Sequence, residues 1–331
     1  MQTHLKTPLL GGAVTAGRGR QLAVVLFWIL PWLAYFFAPG YLLLAVQVMI
    51  LGLFALSLDL LLGYAGVVSL GHAAFFGLGA YSAGLLSTHG WGEPITGLAV
   101  GVVVAAVAGW ISSFLVVRGQ DLTRLMVTLG MCLMLYEFAN KAVSITGGID
   151  GLWGISMDPL LGLFEFDLEG KTAFVYSYVV LLLSFLFLQR LVRSTFGLSL
   201  IAIREGVHRM PAIGVSVQQR LRTVYAISAG VAGLAGALMA QTTQFVGLDA
   251  VSFHRSADVL IMLVLGGTGH LYGALLGAGV FVLVQDKVAS INPVYWQFWI
   301  GLLLVIIVMV GRGGMIGVYQ KWRSKKTREA V

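Results

Sequence analysis

The chain has 331 residues, of which 58% are hydrophobic and only 11% charged, against about 25% charged in a soluble globular protein. A mean hydropathy of +0.91 excludes a cytosolic enzyme and predicts an all-α, polytopic bundle in a membrane. The net charge of +7 and pI of about 9.6 would suggest nucleic acid in a soluble protein. Here the charges fall in blocks between apolar runs, so no nucleic-acid partner is expected. The single cysteine, Cys132, rules out an internal disulfide or a Cys-rich metal site.

At about 20 apolar residues per crossing, this length holds about ten crossings and little else. The first run, Leu22–Phe37, follows Lys6, Arg18 and Arg20 like a signal peptide, but no small-x-small cleavage site follows it. A retained first helix is therefore expected. Further runs are Leu42–Leu62, His72–Ser87, Ile95–Val117, Leu122–Val143, Thr172–Leu188, Thr223–Phe245 and Tyr295–Val310. The stretch Asp258–Gln285 is interrupted by Gly266-Gly267-Thr268-Gly269-His270. In Thr223–Phe245, Ala229, Gly233 and Ala237 recur every four residues, a spacing that lets a neighbouring helix approach closely.

Charge placement decides how the interrupted stretch is counted, because Lys and Arg favour the cytoplasmic side. The loop 189–222 carries Arg190, Arg193, Arg204, Arg209, Arg220 and Arg222 against Glu205, and the tail carries Lys321, Arg323, Lys325, Lys326 and Arg328 against Glu329. The loop 144–171 is acidic, with Asp150, Asp158, Glu165, Asp167 and Glu169 against Lys171. Two short segments turning at the glycines give ten membrane segments with both termini inside. All Lys and Arg except Lys141, Lys171, Arg255 and Lys287, 17 of the 21, then lie on the cytoplasmic side. A similar break spans Leu62 to His72, and each break precedes a glycine-rich helix (Gly77, Gly79, Gly84; Gly273, Gly277, Gly279). Two broken-helix hairpins in corresponding halves suggest an inverted repeat with a transport path at its interface. Ordinary tight turns between helices would leave the same pattern.

Asp59 lies within the second run on a small and polar face with Gly52, Ala55 and Gly63. A lipid-facing carboxylate costs several kcal/mol, so Asp59 either lines a path or packs against backbone or hydroxyl groups near the break. Glu137 and Lys141 are spaced as a self-neutralising i,i+4 pair. Neither site makes a chain of ionisable groups, as a proton relay requires. Gly170-Lys171-Thr172 lacks the first glycine of a phosphate-binding loop, Glu165 standing in its place. Ser82 stands where a dinucleotide loop opening at Gly77-Leu78-Gly79 needs its third glycine. His4, His72, His89, His208, His254 and His270 show no metal-ligand spacing, and no nucleophile turn appears. No catalytic residue, metal or cofactor is expected, and uphill transport would need an ion gradient or another subunit.

The runs Leu60-Leu61-Leu62-Gly63-Tyr64-Ala65-Gly66 and Ser69-Leu70-Gly71-His72-Ala73-Ala74-Phe75-Phe76 resemble the signature of branched-chain amino-acid ABC importer permeases of the LivM type. So do Thr146-Gly147-Gly148 with Asp150-Gly151-Leu152, and Ala202-Ile203-Arg204-Glu205 with Gly214. Leu265-Gly266-Gly267-Thr268-Gly269 and Gly273-Ala274-Leu275-Leu276-Gly277-Ala278 complete a set in the family's order. The resemblance implies an inner-membrane permease subunit paired with a related LivH-type permease, two cytoplasmic ATPase subunits and a periplasmic binding protein. It also implies that the loop after the sixth segment docks into the ATPase, with Arg204, Glu205, His208, Arg209 and Gly214 as contacts. A solvated basic loop held inside by its arginines is the simpler alternative. Pro211 is placed to begin a helical turn and Gly214 to end one.

The chain departs from relatives that have Asn at Asp59 and Gln at Val67, which keeps a urea or short-amide permease of the same superfamily open. Gly206 and Pro211 imply a shorter docking helix. An ion-coupled secondary transporter remains the reading from another class. The expected organisation is an N-terminal segment 1–21, a permease domain 22–318 and a basic tail 319–331. Asp59, Tyr64, Ser69, His72, Thr268 and His270 are assigned to the translocation path and broken helices.

Overall fold

The computed structural model describes residues 18–305 except 38, 120, 160–163, 165–169, 292, 294, 300, 303 and 304. The tail 319–331, most of the segment 1–21, half of the run Tyr295–Val310, and Glu165, Asp167 and Glu169 lie outside the described residues. The helices are α1 (Arg18–Phe37), α2 (Leu42–Asp59), α3 (His72–Thr88), α4 (Pro94–Val116), α5 (Asp121–Lys141) and the short α6 (Val143–Thr146). After the acidic stretch come α7 (Lys171–Arg193), α8 (Thr195–Gly206), α9 (Val217–Thr243), α10 (Phe253–Gly266) and α11 (Leu271–Ile291). Among the described residues there is no β-strand, and Leu152 and Val246 form an isolated antiparallel bridge.

Among the described residues, six helical stretches are long and apolar enough to cross a membrane by themselves: Leu42–Tyr64, Pro94–Val116, Leu122–Lys141, Lys171–Arg193, Val217–Thr243 and Leu271–Ile291. α3 and α10 are shorter, at 17 and 14 residues. Several helices outrun the apolar stretches read from the sequence: α7 continues to Arg193, α9 starts at Val217 rather than Thr223, α10 starts at Phe253 rather than Asp258, and α11 continues past Gln285 to Ile291. Hydropathy marks only the hydrocarbon-soluble part of a helix. The extra turn of α7 carries Arg190 and Arg193, cations that complement the negative end of the helix dipole.

α9 is the central element, packing along both α4 and α3. Its contact with α4 is made by two matched stripes of small residues. The expected Ala229, Gly233 and Ala237 face Gly109, Ala105 and Gly101 of α4. A Cβ on Gly233 would sit 2.3 Å from Ala105 Cβ and 2.6 Å from Gly101 O. The backbones are therefore in van der Waals contact, the packing that small residues make available where no hydrophobic force draws helices together. The larger side chains of α4 (Val103, Val107, Ile111, Leu115) point outward and are exposed.

The connections sort into two ends. At one end the basic stretch around α8 meets both breaks and the start of α5, as described below. At the other, Gly92 O accepts from Asp158 N–H at 3.0 Å, the Ser87 hydroxyl donates to Ser156 O, and Leu152 bridges Val246. Lys287, near the end of α11, lies over the Tyr41 ring at this acidic end. One expectation fails: Glu137 and Lys141 make no ion pair, the ion pair found among the described residues being Arg255–Asp249. Both are exposed on α5.

Candidate functional site at the junction of two helix breaks

The first break begins where α2 widens into a π-helical turn, Leu60–Tyr64. Such turns interrupt the regular hydrogen-bond ladder and recur at functional positions. Asp59, the last residue of α2, is fully buried, and its Oδ1 accepts the backbone N–H of Gly269 at 2.7 Å. Gly269 belongs to the second break, Gly267–His270, between α10 and α11. The Asp59 carboxylate therefore ties one break to the other across 210 residues of sequence. Glycine is required where this bond forms. A Cβ on Gly63 would lie 2.1 Å from Asp59 Oδ1 and 2.5 Å from Gly269 N, so any side chain there pushes donor and acceptor apart.

α8 closes the junction from the basic end. Arg204 donates from its guanidinium to Gly63 O and stands within electrostatic reach of Asp59. Its stem packs over Gly66, whose φ of +71° is a left-handed conformation that a side chain resists. Ser194 caps α8 by accepting Gly197 N–H. The helix ends at Gly206, after which a 3-10 turn, Pro211–Ile213, leads to Gly214 at φ +81°. Glu205, His208, Arg209 and Gly214 are exposed, as is Arg204. Of the residues assigned to ATPase contact, Arg204 is the one whose side chain hydrogen-bonds to a break among the described residues.

The remaining path candidates separate into two groups. Thr268 and His270 flank Gly269, with Thr268 half-buried and His270 exposed, while Tyr64 and Ser69 are buried in the first break. His72 sits elsewhere, at the start of α3, in a fully buried polar knot. Its Nε2 is 2.9 Å from Ser57 Oγ, whose own proton goes to Phe54 O. The imidazole is therefore the donor in the Ser57 bond, and Ser228 donates in turn to Ser57 O at 2.5 Å. The ring stacks on Phe54. A buried and hydrogen-bonded histidine of this kind holds α2, α3 and α9 in register.

Sequence reading missed several polar positions that do comparable work. Gln241 of α9, fully buried, donates to Pro94 O and accepts from Tyr176, both at 2.7 Å, joining α9 to α4 and α7. Ser256 of α10 accepts Ala73 N–H at the start of α3, and Thr128 of α5 accepts Leu70 N–H in the first break. Each was visible as a polar residue within an apolar run, but which helix it would address was not.

Residues 40–308 match the family described as branched-chain amino acid transport system / permease component. The high-affinity branched-chain amino acid transport system permease protein LivM of Escherichia coli K12 is 29% identical over 295 residues, covering 82% of this chain and 69% of the relative. A probable LivM permease of Methanocaldococcus jannaschii is 23% identical over 317 residues, covering 79% and 89%. The permease protein LivH of Escherichia coli K12 is 21% identical over 287 residues, covering 80% and 90%. No solved structure matches the chain. With 269 consecutive positions matched (40 to 308 inclusive), the chain belongs to the branched-chain amino acid transport permease family.

Proposed function

We propose that the chain is the LivM-type permease subunit of an ATP-driven importer of branched-chain amino acids, with hydrolysis carried out by separate ATPase subunits. One observation carries the coupling part of this reading. Arg204 of α8 holds the carbonyl of Gly63 at the point where Asp59 holds Gly269. A displacement of α8 by a cytoplasmic ATPase would thus act on both breaks at once, as coupling between sites requires contacts that differ between two states.

The sorting of connections into a basic and an acidic end supports ten membrane segments with both termini in the cytoplasm. On that count the two breaks turn at the cytoplasmic side as paired hairpins, and the acidic loop 144–171 meets a periplasmic binding protein. α5 is the least buried of the candidate spans, and it leaves Glu137 and Lys141 exposed and unpaired with each other. An ionised carboxylate against lipid is costly, which favours a protein neighbour, the LivH-type partner, along that face.

The test is co-expression with the partner permease and ATPase subunits. Gly214→Val acts through conformation alone, since nothing lies within 4 Å of a Cβ there while φ is +81°. This variant, or Arg204→Glu combined with Glu205→Arg, should insert and pair normally yet lose ATPase association and most ATP-dependent leucine uptake. Lys325→Gln with Lys326→Gln should transport normally. Normal transport by the loop variants, or sodium- or proton-driven uptake by this chain alone, would refute the proposal.

A further inference from the structure

Between α8, the start of α5 and the two breaks lies a half-open cavity of about 440 Å³, within the range of roughly 300–1,000 Å³ that accommodates small-molecule ligands. Two arginines, Arg124 and Arg204, line it together with Thr268. Aliphatic residues, including Leu62, Ile203 and Leu221, supply most of the remaining wall, and among the described residues no acidic one lines the cavity. Arg124 pairs with no carboxylate among the described residues, and its Nε is buried without a hydrogen-bond partner. Among the described residues Arg204 makes one side-chain hydrogen bond, to Gly63 O, out of the five N–H donors a guanidinium offers.

Two arginines with donors to spare beside an aliphatic wall suit a small carboxylate that carries a short apolar body. Inorganic phosphate would leave the aliphatic wall unused, whereas an aliphatic amino acid uses all three features: carboxylate to the arginines, side chain to the wall, ammonium to the Thr268 hydroxyl. Arginine is also the residue suited to planar, bidentate carboxylate recognition. We propose that this cavity is an inward-facing site for the carboxylate of the transported amino acid, filled from the compartment that receives it. The inference rests on the amino-acid reading above and adds a regulatory consequence. A carboxylate bound here competes with Gly63 O for Arg204, so accumulated product loosens the contact between α8 and the first break and slows the importer.

The assay is binding of radiolabelled L-leucine to the assembled permease–ATPase complex in nanodiscs, without binding protein. Isocaproate, which keeps the carboxylate and apolar body, should displace leucine, whereas isoamylamine and inorganic phosphate should not. Arg124→Gln should weaken binding about tenfold or more, the scale of one lost charge-assisted hydrogen bond, and Arg124→Lys should restore part of it. In proteoliposomes, leucine preloaded on the ATPase side should lower the initial rate of ATP-dependent uptake. Displacement by phosphate, or undiminished binding in Arg124→Gln, would overturn the site. Leucine-independent rates in vesicles that do transport leucine would overturn the braking role while leaving the importer reading intact. Absence of ATP-driven leucine uptake by the wild-type complex would remove both.

Discussion

Replacing Gly63 by alanine perturbs the junction with a single methyl group. That carbon would fall 2.1 Å from Asp59 Oδ1 and 2.5 Å from Gly269 N, so the Asp59–Gly269 bond cannot form at its present 2.7 Å. Asp59 Oδ2 already lacks a hydrogen-bond partner, and losing the Oδ1 bond leaves a fully buried carboxylate with neither oxygen satisfied. A hydrogen bond to a charged group contributes about 1.5–3 kcal/mol, and orphaning the buried carboxylate raises the cost to about 3 kcal/mol or more. At roughly 2 °C per kcal/mol for a large domain, the unfolding midpoint of the purified protein should drop by about 6 °C or more. Asp59→Asn separates charge from geometry. Its amide oxygen still accepts Gly269 N–H, so the loss should be about 1 kcal/mol, with uptake retained. Asp59→Leu should instead lower the yield of folded protein, since it strands the Gly269 donor. The measurements are thermal unfolding in detergent and uptake by the assembled importer. A wild-type midpoint and rate in Gly63→Ala would refute the junction. Failure of uptake in Asp59→Asn at normal expression would show that the charge itself is needed and would revive an ion-coupled mechanism.

Two other outcomes follow from packing and topology. Gly233→Val should cost several kcal/mol and separate α9 from α4, because its first side-chain carbon already meets Ala105 Cβ at 2.3 Å; a folded protein with an unchanged midpoint would contradict the tight helix contact. Single cysteines in a background lacking Cys132 should be protected from an impermeant thiol reagent in intact cells at positions 209 and 325 and labelled at 165 and 287. Labelling at 325 without labelling at 287 would overturn the two-segment count for Asp258–Gln285.

Much of the bundle was legible in the sequence because membrane helices follow from local, additive quantities. The apolar runs located α2, α4, α5, α7, α9 and α11, and the glycines at 63–71 and 266–270 marked where helices stop. The four-residue spacing of Ala229, Gly233 and Ala237 announced a close helix contact, though not that α4 answers it with Gly101, Ala105 and Gly109. Asp59 could be read as anomalous in an apolar helix, with two explanations left open. Only the tertiary structure supplied its partner, a backbone N–H in the other break, and brought Arg204 to Gly63 O across 141 residues. The reason is physical. Hydropathy and helix-breaking are properties of a segment and its solvent, whereas a buried donor is satisfied by whichever acceptor the packing of helices brings within about 3 Å, and no local pattern records that choice.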